Sequence, residues 1–139
     1  MKVRIELPVQ FRDIDRMGHV NHAVYLQYME TARVELARRL GMIRDASSSS
    51  FIVAMAHVEY KKPIRDEPRV TVSCWVSRIG ERSWDLDYTV NAGRIEFALG
   101  RTTQVGYDYN KRSTVRISEK LRKKLGEYEG RPLRFRVIG

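Results

Sequence analysis

The residues best suited to chemistry lie in one short stretch, RDIDRMGHVNHAVYLQYMETAR, at positions 12–33. Its candidate groups are two carboxylates, a glycine and two histidines: Asp13, Asp15, Gly18, His19 and His22. A carboxylate beside a carbonyl carbon can activate water as a general base or attack the carbon as a nucleophile. Such a reaction also needs a hydrogen-bond donor for the carbonyl oxygen, which gains negative charge during the attack.

That donor is predicted at the start of a helix, because Asn21 is a favourable N-cap residue. If its side chain accepts the N–H of Ala23 or Val24, the N–H of His22 stays unpaired at the positive end of the helix dipole. A free N–H there suits an oxygen that becomes negative. Gly18 allows a tight turn, which can bring the second carboxylate to the same point. The local residues therefore favour acyl transfer.

The helix is predicted over His22 to Leu40, and Gly41 is a typical residue after a helix end. An apolar stripe recurs at helical spacing and comprises Tyr25, Tyr28, Met29, Ala32, Leu36 and Leu40. Such stripes usually pack into a core, so core packing is the first interpretation of the two tyrosines. Lining a substrate pocket is the second.

At these residues the chain resembles a known family. The pattern D-x-D-x-x-G-H-V-N-H-x-x-Y, followed by E-x-A-R at Glu30 to Arg33, is similar to the hydroxybenzoyl-CoA thioesterase branch of the hotdog-fold acyl-CoA thioesterases. A histidine at the helix start is typical of the subgroup similar to the Tol-Pal-associated thioesterases. The order of predicted elements matches this family over nearly the whole chain.

The resemblance implies that the protein hydrolyses an acyl-CoA thioester to the free acid and CoA, without a cofactor. It assigns the catalytic carboxylate, as general base or nucleophile, to Asp15, and the carbonyl-polarising backbone N–H to His22. The expected substrate-binding residues are Gly18, Asn21, Tyr25 and Tyr28. A homodimer or homotetramer is also implied. Two alternatives stay open, namely a thioesterase acting on acyl carrier protein and a non-catalytic acyl-CoA-binding protein of the same fold.

The rest of the chain reads mainly as strands. They are predicted at Val3–Arg12, Phe51–Lys62, Arg69–Ser77, Ser83–Asn91 and Ile95–Tyr109, with a loop at 44–50, a short helix at Ser118–Leu125 and a short strand at Arg134–Ile138. Short links between strands indicate an antiparallel sheet, and one long helix against it gives a two-layer α+β arrangement. The resemblance narrows this to the hotdog fold, in which the sheet wraps around one long central helix.

The length of 139 residues predicts a single domain over residues 1–139. No apolar run is long enough to cross a membrane and no signal segment is recognised, so a cytoplasmic location is expected. The lone Cys74 excludes an internal disulfide and is expected to be a buried structural thiol.

The net charge of +9 comes mainly from Lys111 to Gly139, where ten Lys or Arg stand against three Glu. Such a segment can be a solvated helix face, or it can attract CoA phosphates or nucleic acid. No helix-turn-helix, zinc-finger or RNA-recognition signature appears, so nucleic acid is not an expected partner.

A metal site is the main rival chemistry. Asp13, Asp15, His19 and His22 could together bind zinc, iron or manganese, but they match no firm metal motif, and no metal is expected. Asp13 and His19 are instead expected to form structural hydrogen bonds around the turn. The absence of G-x-S-x-G disfavours a serine hydrolase.

Overall fold

A computed structural model describes residues 1–42 and 51–136. Its strands and helices are β1 (Val3–Pro8), α1 (His22–Arg39), β2 (Phe51–Tyr60), β3 (Arg69–Ile79), β4 (Ser83–Ala92), β5 (Ile95–Asp108), β6 (Ser113–Thr114) and α2 (Glu119–Gly126). A 3-10 turn, Phe11–Asp13, follows β1. The predicted loop at 44–50 lies outside the described residues.

The strands form one antiparallel sheet in the order β1-β3-β4-β5-β2, and β6 pairs with the end of β5. β1 and β2 therefore lie at its two edges. Pro8 is the last paired residue of β1, opposite Arg69. Proline cannot donate a ladder hydrogen bond, so it is tolerated at such an edge, as its presence in the sequence predicts.

Local capping fixes both ends of α1. At the start, the Asn21 side-chain oxygen accepts the N–H of Ala23 at 2.9 Å. At the end, Gly41 adopts a φ of 73°, and the N–H of Met42 donates to the carbonyl of Ala37 at 2.9 Å. This is a Schellman ending, which needs a residue that tolerates positive φ. The predicted bounds of α1 are confirmed to within one residue.

α1 packs its apolar stripe on one face of the sheet. Met29, Ala32 and Leu36 are at most 1% exposed. They share a core with inward-facing strand residues, which include Val70, Val72, Cys74, Val76, Leu86 and Val90. A Cβ at Gly100 would lie 2.5 Å from the Met29 side chain, so glycine is what allows this close approach. Burial also raises the pKa of Cys74, as expected for a structural thiol.

A buried chain of polar groups lies beneath the second half of α1. Arg33, the last residue of the E-x-A-R motif, donates to the Tyr88 hydroxyl at 3.2 Å. That hydroxyl is 2.6 Å from the Thr102 hydroxyl, which in turn bonds the Gln104 side chain. Gln104 finally donates to the carbonyl of Trp84 at 3.2 Å. The motif arginine thus ties α1 to β4 and β5, since buried polar groups need partners.

The opposite face of the sheet is partly covered by the C-terminal segment 128–136. Trp75 donates its indole N–H to the carbonyl of Arg131 at 3.0 Å. Asp87 is fully buried and accepts from the Arg101 guanidinium at 2.7 Å and from the N–H of Leu133 at 2.8 Å. The predicted strand at Arg134–Ile138 is wrong for residues 134–136, which contact side chains on this face and form no ladder, and residues 137–138 lie outside the described residues.

Two strands next to the candidate site, β1 and β2, end earlier than predicted. β1 ends at Pro8 and not at Arg12, because the chain turns into the 3-10 segment at Phe11–Asp13. β2 ends at Tyr60, since the N–H groups of Lys61 and Lys62 both point to the same carbonyl and no longer follow the ladder. Both changes move residues from regular strands into the turns that border the candidate site.

Among the residues that the structure describes, neither helix has the length and apolar character needed to cross a membrane.

Candidate active site

Asp15 lies on a tight turn between the 3-10 segment and α1. Its N–H donates to the carbonyl of His19 at 3.0 Å, and its own carbonyl accepts the N–H of Gly18 at 3.0 Å. Gly18 has a φ of 81°, which favours glycine. One oxygen of the Asp15 carboxylate accepts the N–H of Met17 at 2.9 Å, so the second oxygen has no bond to the described residues. The turn therefore presents a half-buried carboxylate with one oxygen available.

The start of α1 supplies a backbone donor, as the N-cap argument predicts. Since Asn21 takes the N–H of Ala23, the N–H of His22 has no acceptor among residues 1–42 and 51–136. His22 is the first helical residue and is exposed. The free N–H points from the positive end of the helix dipole, where an oxygen with negative charge is stabilised.

Asp15 and His22, the residues that carry these two groups, line one cleft of about 250 Å³. Asp15, His19, His22 and Tyr25 all border it, so four of the residues singled out from the sequence meet here. The other lining residues are Val20, Tyr60, Lys61, Lys62 and Pro63. A carboxylate and a free N–H beside one cleft are the two groups needed to attack and polarise a carbonyl.

Tyr60 is a cleft residue that sequence reasoning missed. Its hydroxyl donates to the carbonyl of His22 at 2.8 Å, and its ring meets the Tyr25 ring edge-on at 5.0 Å between centroids. Burial raises the pKa of both tyrosines, so both hydroxyls remain protonated at neutral pH. Tyr60 comes from the end of β2, and only the sheet register brings it to the helix start.

Lys61 and Lys62 give the cleft a basic rim. Lys61 pairs with Glu96 at 2.9 Å, whereas Lys62 forms no ion pair within the described part of the chain. An ammonium group at this position can attract an anionic substrate. In the sequence, the signal for this rim is the pair of lysines between the end of β2 and Pro63.

Three of the predicted substrate-binding residues do not line this cleft. Gly18 shapes the turn, and Asn21 caps the helix. Tyr28 is 6% exposed and borders a separate cleft of about 520 Å³ on the side of β1. Its hydroxyl donates to Asp13 at 3.1 Å. Of the two tyrosines, Tyr25 alone borders the cleft that holds Asp15.

The structure also bears on the rival metal site. Within residues 1–42 and 51–136, no three His, Cys, Asp or Glu side chains come together as a possible ligand set. Asp13 points to Tyr28 and the N–H of Gln10, away from the cleft of Asp15. Nδ1 of His19 lies 3.4 Å from the carbonyl of Val20. Asp13 and His19 thus have the hydrogen bonds within the turn that were expected of them.

Comparison with known proteins decides the family. The family model described as "Thioesterase-like superfamily" matches residues 9–125. The chain belongs to the thioesterase-like superfamily. The matched region contains both the turn of Asp15 and the start of α1, and it stops before the C-terminal segment 128–136.

Solved structures of thioesterases share the architecture of this thioesterase-like chain. A Thermus thermophilus thioesterase complexed with coenzyme A and Zn is 33% identical, with a TM-score of 0.79 over 94% of this chain and 96% of that one. A protein described as a predicted thioesterase from Bacillus stearothermophilus is 20% identical, with a TM-score of 0.89 over 95% of this chain and 99% of that one. The hotdog fold inferred from the motif is confirmed.

Curated relatives match over a shorter stretch. YneP of Bacillus subtilis, provisionally named as an acyl-CoA thioesterase, is 30% identical over 74 residues, which are 51% of this thioesterase-like chain and 54% of YneP. YsmA of the same organism is 23% identical over 83 residues. The chain thus spans about half the length of the curated relatives that it matches.

Proposed function

We propose that this protein hydrolyses acyl-CoA thioesters to the free acid and CoA. The observation that carries the proposal is the cleft that Asp15 and His22 both line, since Asp15 has a carboxylate and His22 has a backbone N–H without an acceptor among the described residues. A thioester carbonyl between them has an attacking group on one side and a donor for its oxygen on the other.

The reaction requires attack of an oxygen nucleophile on the thioester carbon and departure of CoA from that carbon. The oxygen of water, deprotonated by Asp15, or a carboxylate oxygen of Asp15 itself bonds to the thioester carbon. The carbonyl oxygen becomes negative and is stabilised by the His22 N–H and the helix dipole. The carbon–sulfur bond then breaks and CoA leaves as the thiolate, which takes up a proton. If Asp15 attacks directly, water hydrolyses the resulting mixed anhydride in a second step.

The proposal of a CoA ester has two supports. One is the bound coenzyme A in the Thermus thermophilus thioesterase, and the other is the basic rim formed by Lys61 and Lys62. Purified protein should therefore be tested against short, long and aromatic acyl-CoAs, with release of the free thiol as the signal. Hydrolysis of at least one class is expected.

Two further measurements, hydrolysis of acyl carrier protein thioesters and direct binding of acyl-CoA, separate the alternatives. Hydrolysis of acyl carrier protein thioesters alone would favour the carrier-protein alternative, which the exposed cations of α2 would suit because carrier proteins are acidic. Acyl-CoA binding without any hydrolysis would instead favour a non-catalytic binding protein.

We further propose that β2 joins a second copy of the chain, giving a homodimer as the smallest unit and leaving a tetramer possible. β2 is an edge strand of ten residues, with unpaired backbone groups on its outer side within the described sheet. It also exposes apolar side chains, since Ile52, Val53 and Met55 are between 36% and 42% exposed. Proteins normally cover edges of this kind.

Light scattering should give at least a dimer mass for active protein. Met55→Glu is expected to shift the mass toward the monomer, because it adds a charge to the proposed interface. Ile95→Glu is the matched control, since Ile95 is an equally exposed apolar residue at the start of β5. A monomer mass in an active wild-type sample would contradict the proposal.

The basic helix α2 lies near the C-terminal end of α1, too far from the cleft of its own chain to bind a substrate there. Lys124 contacts the carbonyl of Leu40 at 3.4 Å, beyond the last turn of α1. α1 has 18 residues and is therefore about 27 Å long, with His22 at its other end. Within one chain, this geometry favours the solvated-face interpretation of these cations.

Replacing the exposed Lys120 and Lys123 with Gln should therefore leave KM and kcat for acyl-CoA within about twofold of wild type. Lys124 is kept, because its loss would also remove a bond to the end of α1. A rise in KM for acyl-CoA, with no change for a short thioester that lacks the nucleotide, would show that α2 binds CoA for a neighbouring subunit.

No metal should be needed for turnover. The described residues contain no set of three metal-binding side chains, and the proposed chemistry uses a carboxylate and a backbone N–H. Protein treated with a chelator and freed of it should hydrolyse acyl-CoA at the original rate. Loss of the rate on treatment, followed by recovery with one divalent metal, would contradict this expectation.

A further inference from the structure

Tyr28 and Asp13 form a buried contact next to the proposed site but outside its cleft. Tyr28 lies on α1, six residues after His22, and its hydroxyl donates to the Asp13 carboxylate at 3.1 Å. Tyr28 and Asp13 are 6% and 9% exposed. Burial, together with the negative charge of Asp13, raises the pKa of Tyr28 well above its ordinary value, so the hydroxyl remains a donor at neutral pH.

Asp13 also connects the turn of Asp15 to the start of α1 through its backbone carbonyl and its carboxylate. Its backbone carbonyl accepts the N–H of Asn21, the cap of α1, at 2.9 Å. Its carboxylate oxygen accepts the N–H of Gln10 at 2.8 Å as well as the Tyr28 hydroxyl. Next along the chain, Ile14 pairs with Val20 in an isolated antiparallel bridge.

The attacking group and the oxygen donor therefore stand on different segments. Asp15 belongs to the turn, whereas the His22 N–H belongs to the helix. Catalytic groups must be held to within about 0.5 Å of the productive geometry, and a displacement of about 1 Å can cost ~100-fold in rate. Some contact has to fix the turn against the helix, and Tyr28 is the residue within α1 whose side chain reaches Asp13.

We propose that Tyr28 is a positioning residue, which holds the turn of Asp15 against the start of α1 through its hydrogen bond to Asp13. This inference rests on the proposed thioesterase function. Tyr28 does not line the cleft of Asp15 and His22 but borders the other cleft, so the proposal gives it no contact with the thioester. Its effect on the reaction passes through Asp13 and the Asn21 N–H.

The first test compares Tyr28→Phe with Tyr88→Phe, since each removes one buried tyrosine hydroxyl beneath or beside α1. Tyr28→Phe should lower kcat by about tenfold or more and leave KM within about twofold, because binding groups are unchanged. Tyr88→Phe should lower the melting temperature and leave kcat near wild type. Equal kcat values in the two variants would overturn the proposal.

The second test separates positioning from chemistry at Asp13. Asp13→Asn keeps an acceptor oxygen for Tyr28 and should retain most of kcat, whereas Asp13→Ala should lose at least as much as Tyr28→Phe, because it also removes the acceptor of the Gln10 N–H. Adding Tyr28→Phe to Asp13→Ala should cost nothing further, because both changes break the same bond. An Asp13→Asn variant as inactive as Asp15→Asn would overturn the proposal, since Asp13 would then act in the reaction itself.

A third measurement does not depend on activity. Amide hydrogen exchange at Asn21 should be faster in Tyr28→Phe than in wild type, because the acceptor of that N–H is no longer held; Tyr88→Phe should not change it. Unchanged exchange would overturn the proposal even if the wild type hydrolyses thioesters. If the wild type hydrolyses none while exchange responds as expected, the proposed function fails and the role of Tyr28 in holding the turn stands.

Discussion

Replacing Asp15 with Asn is expected to lower the turnover of acyl-CoA by at least ~100-fold, as is usual for the loss of a positioned base or nucleophile. An amide cannot take a proton from water and is a poor nucleophile toward a thioester carbon. Folding should survive, because Asn keeps an oxygen that can accept the N–H of Met17. The measurement is kcat on the best substrate of the acyl-CoA screen, together with the melting temperature.

Asp108→Asn provides a matched control for this prediction. Asp108 likewise accepts backbone N–H groups of a turn, from Asn110 at 2.8 Å and Lys111 at 3.1 Å, but this turn follows the end of β5. Its replacement should leave kcat unchanged. A folded Asp15→Asn variant with near-wild-type turnover would remove Asp15 from the mechanism.

The parts of the site that follow from local sequence could be predicted. The Asn21 cap, the free His22 N–H and the Gly18 turn each depend on residues within a few positions of one another. The same holds for the end of α1 at Gly41. The resemblance then identified Asp15 as the carboxylate that matters, and the structure puts it on the cleft shared with His22.

The parts that depend on the sheet register could not be predicted. Tyr60, Lys61 and Lys62 are almost forty residues from His22 in the chain and reach the cleft only because β2 ends beside the start of α1. Helical spacing likewise placed Tyr25 and Tyr28 on one stripe. Tertiary packing gives the two tyrosines different surroundings. Tyr25 contacts Tyr60 of β2, whereas Tyr28 forms a hydrogen bond with Asp13.

The outer face of the sheet shows another limit of pattern reasoning. Alternation in β3 and β4 correctly separated the valine face from the face with Trp75 and Asp87. The alternation could not predict that the second face is also covered. The cover is the C-terminal segment 128–136, which is distant from β3 and β4 in the sequence. Alternation of polar and apolar residues therefore predicts which face of the sheet a side chain lies on, but not whether that face is exposed to solvent.

Replacing His22 with Pro should also have a large effect on the reaction, a loss of about 10²–10³ in kcat, the usual cost of one oxyanion donor. Proline removes the backbone N–H and nothing else that the helix needs at this point. His22 is the first helical residue, where proline is favoured because that N–H has no helical partner. Asn21 already has φ −60° and ψ 139°, which suits a residue before proline.

His22→Ala separates the backbone from the side chain. Both variants lose the imidazole, but Ala keeps the N–H, so it should cost much less than Pro. The carbonyl that accepts the Tyr60 hydroxyl remains in both, and the contact at 2.8 Å should persist. If Ala and Pro lower kcat equally while helix content is unchanged, the imidazole and not the N–H carries the role of His22. If only Pro is severely impaired, the thioester oxygen binds at the start of α1, where its growing charge meets both the free N–H and the positive end of the helix dipole.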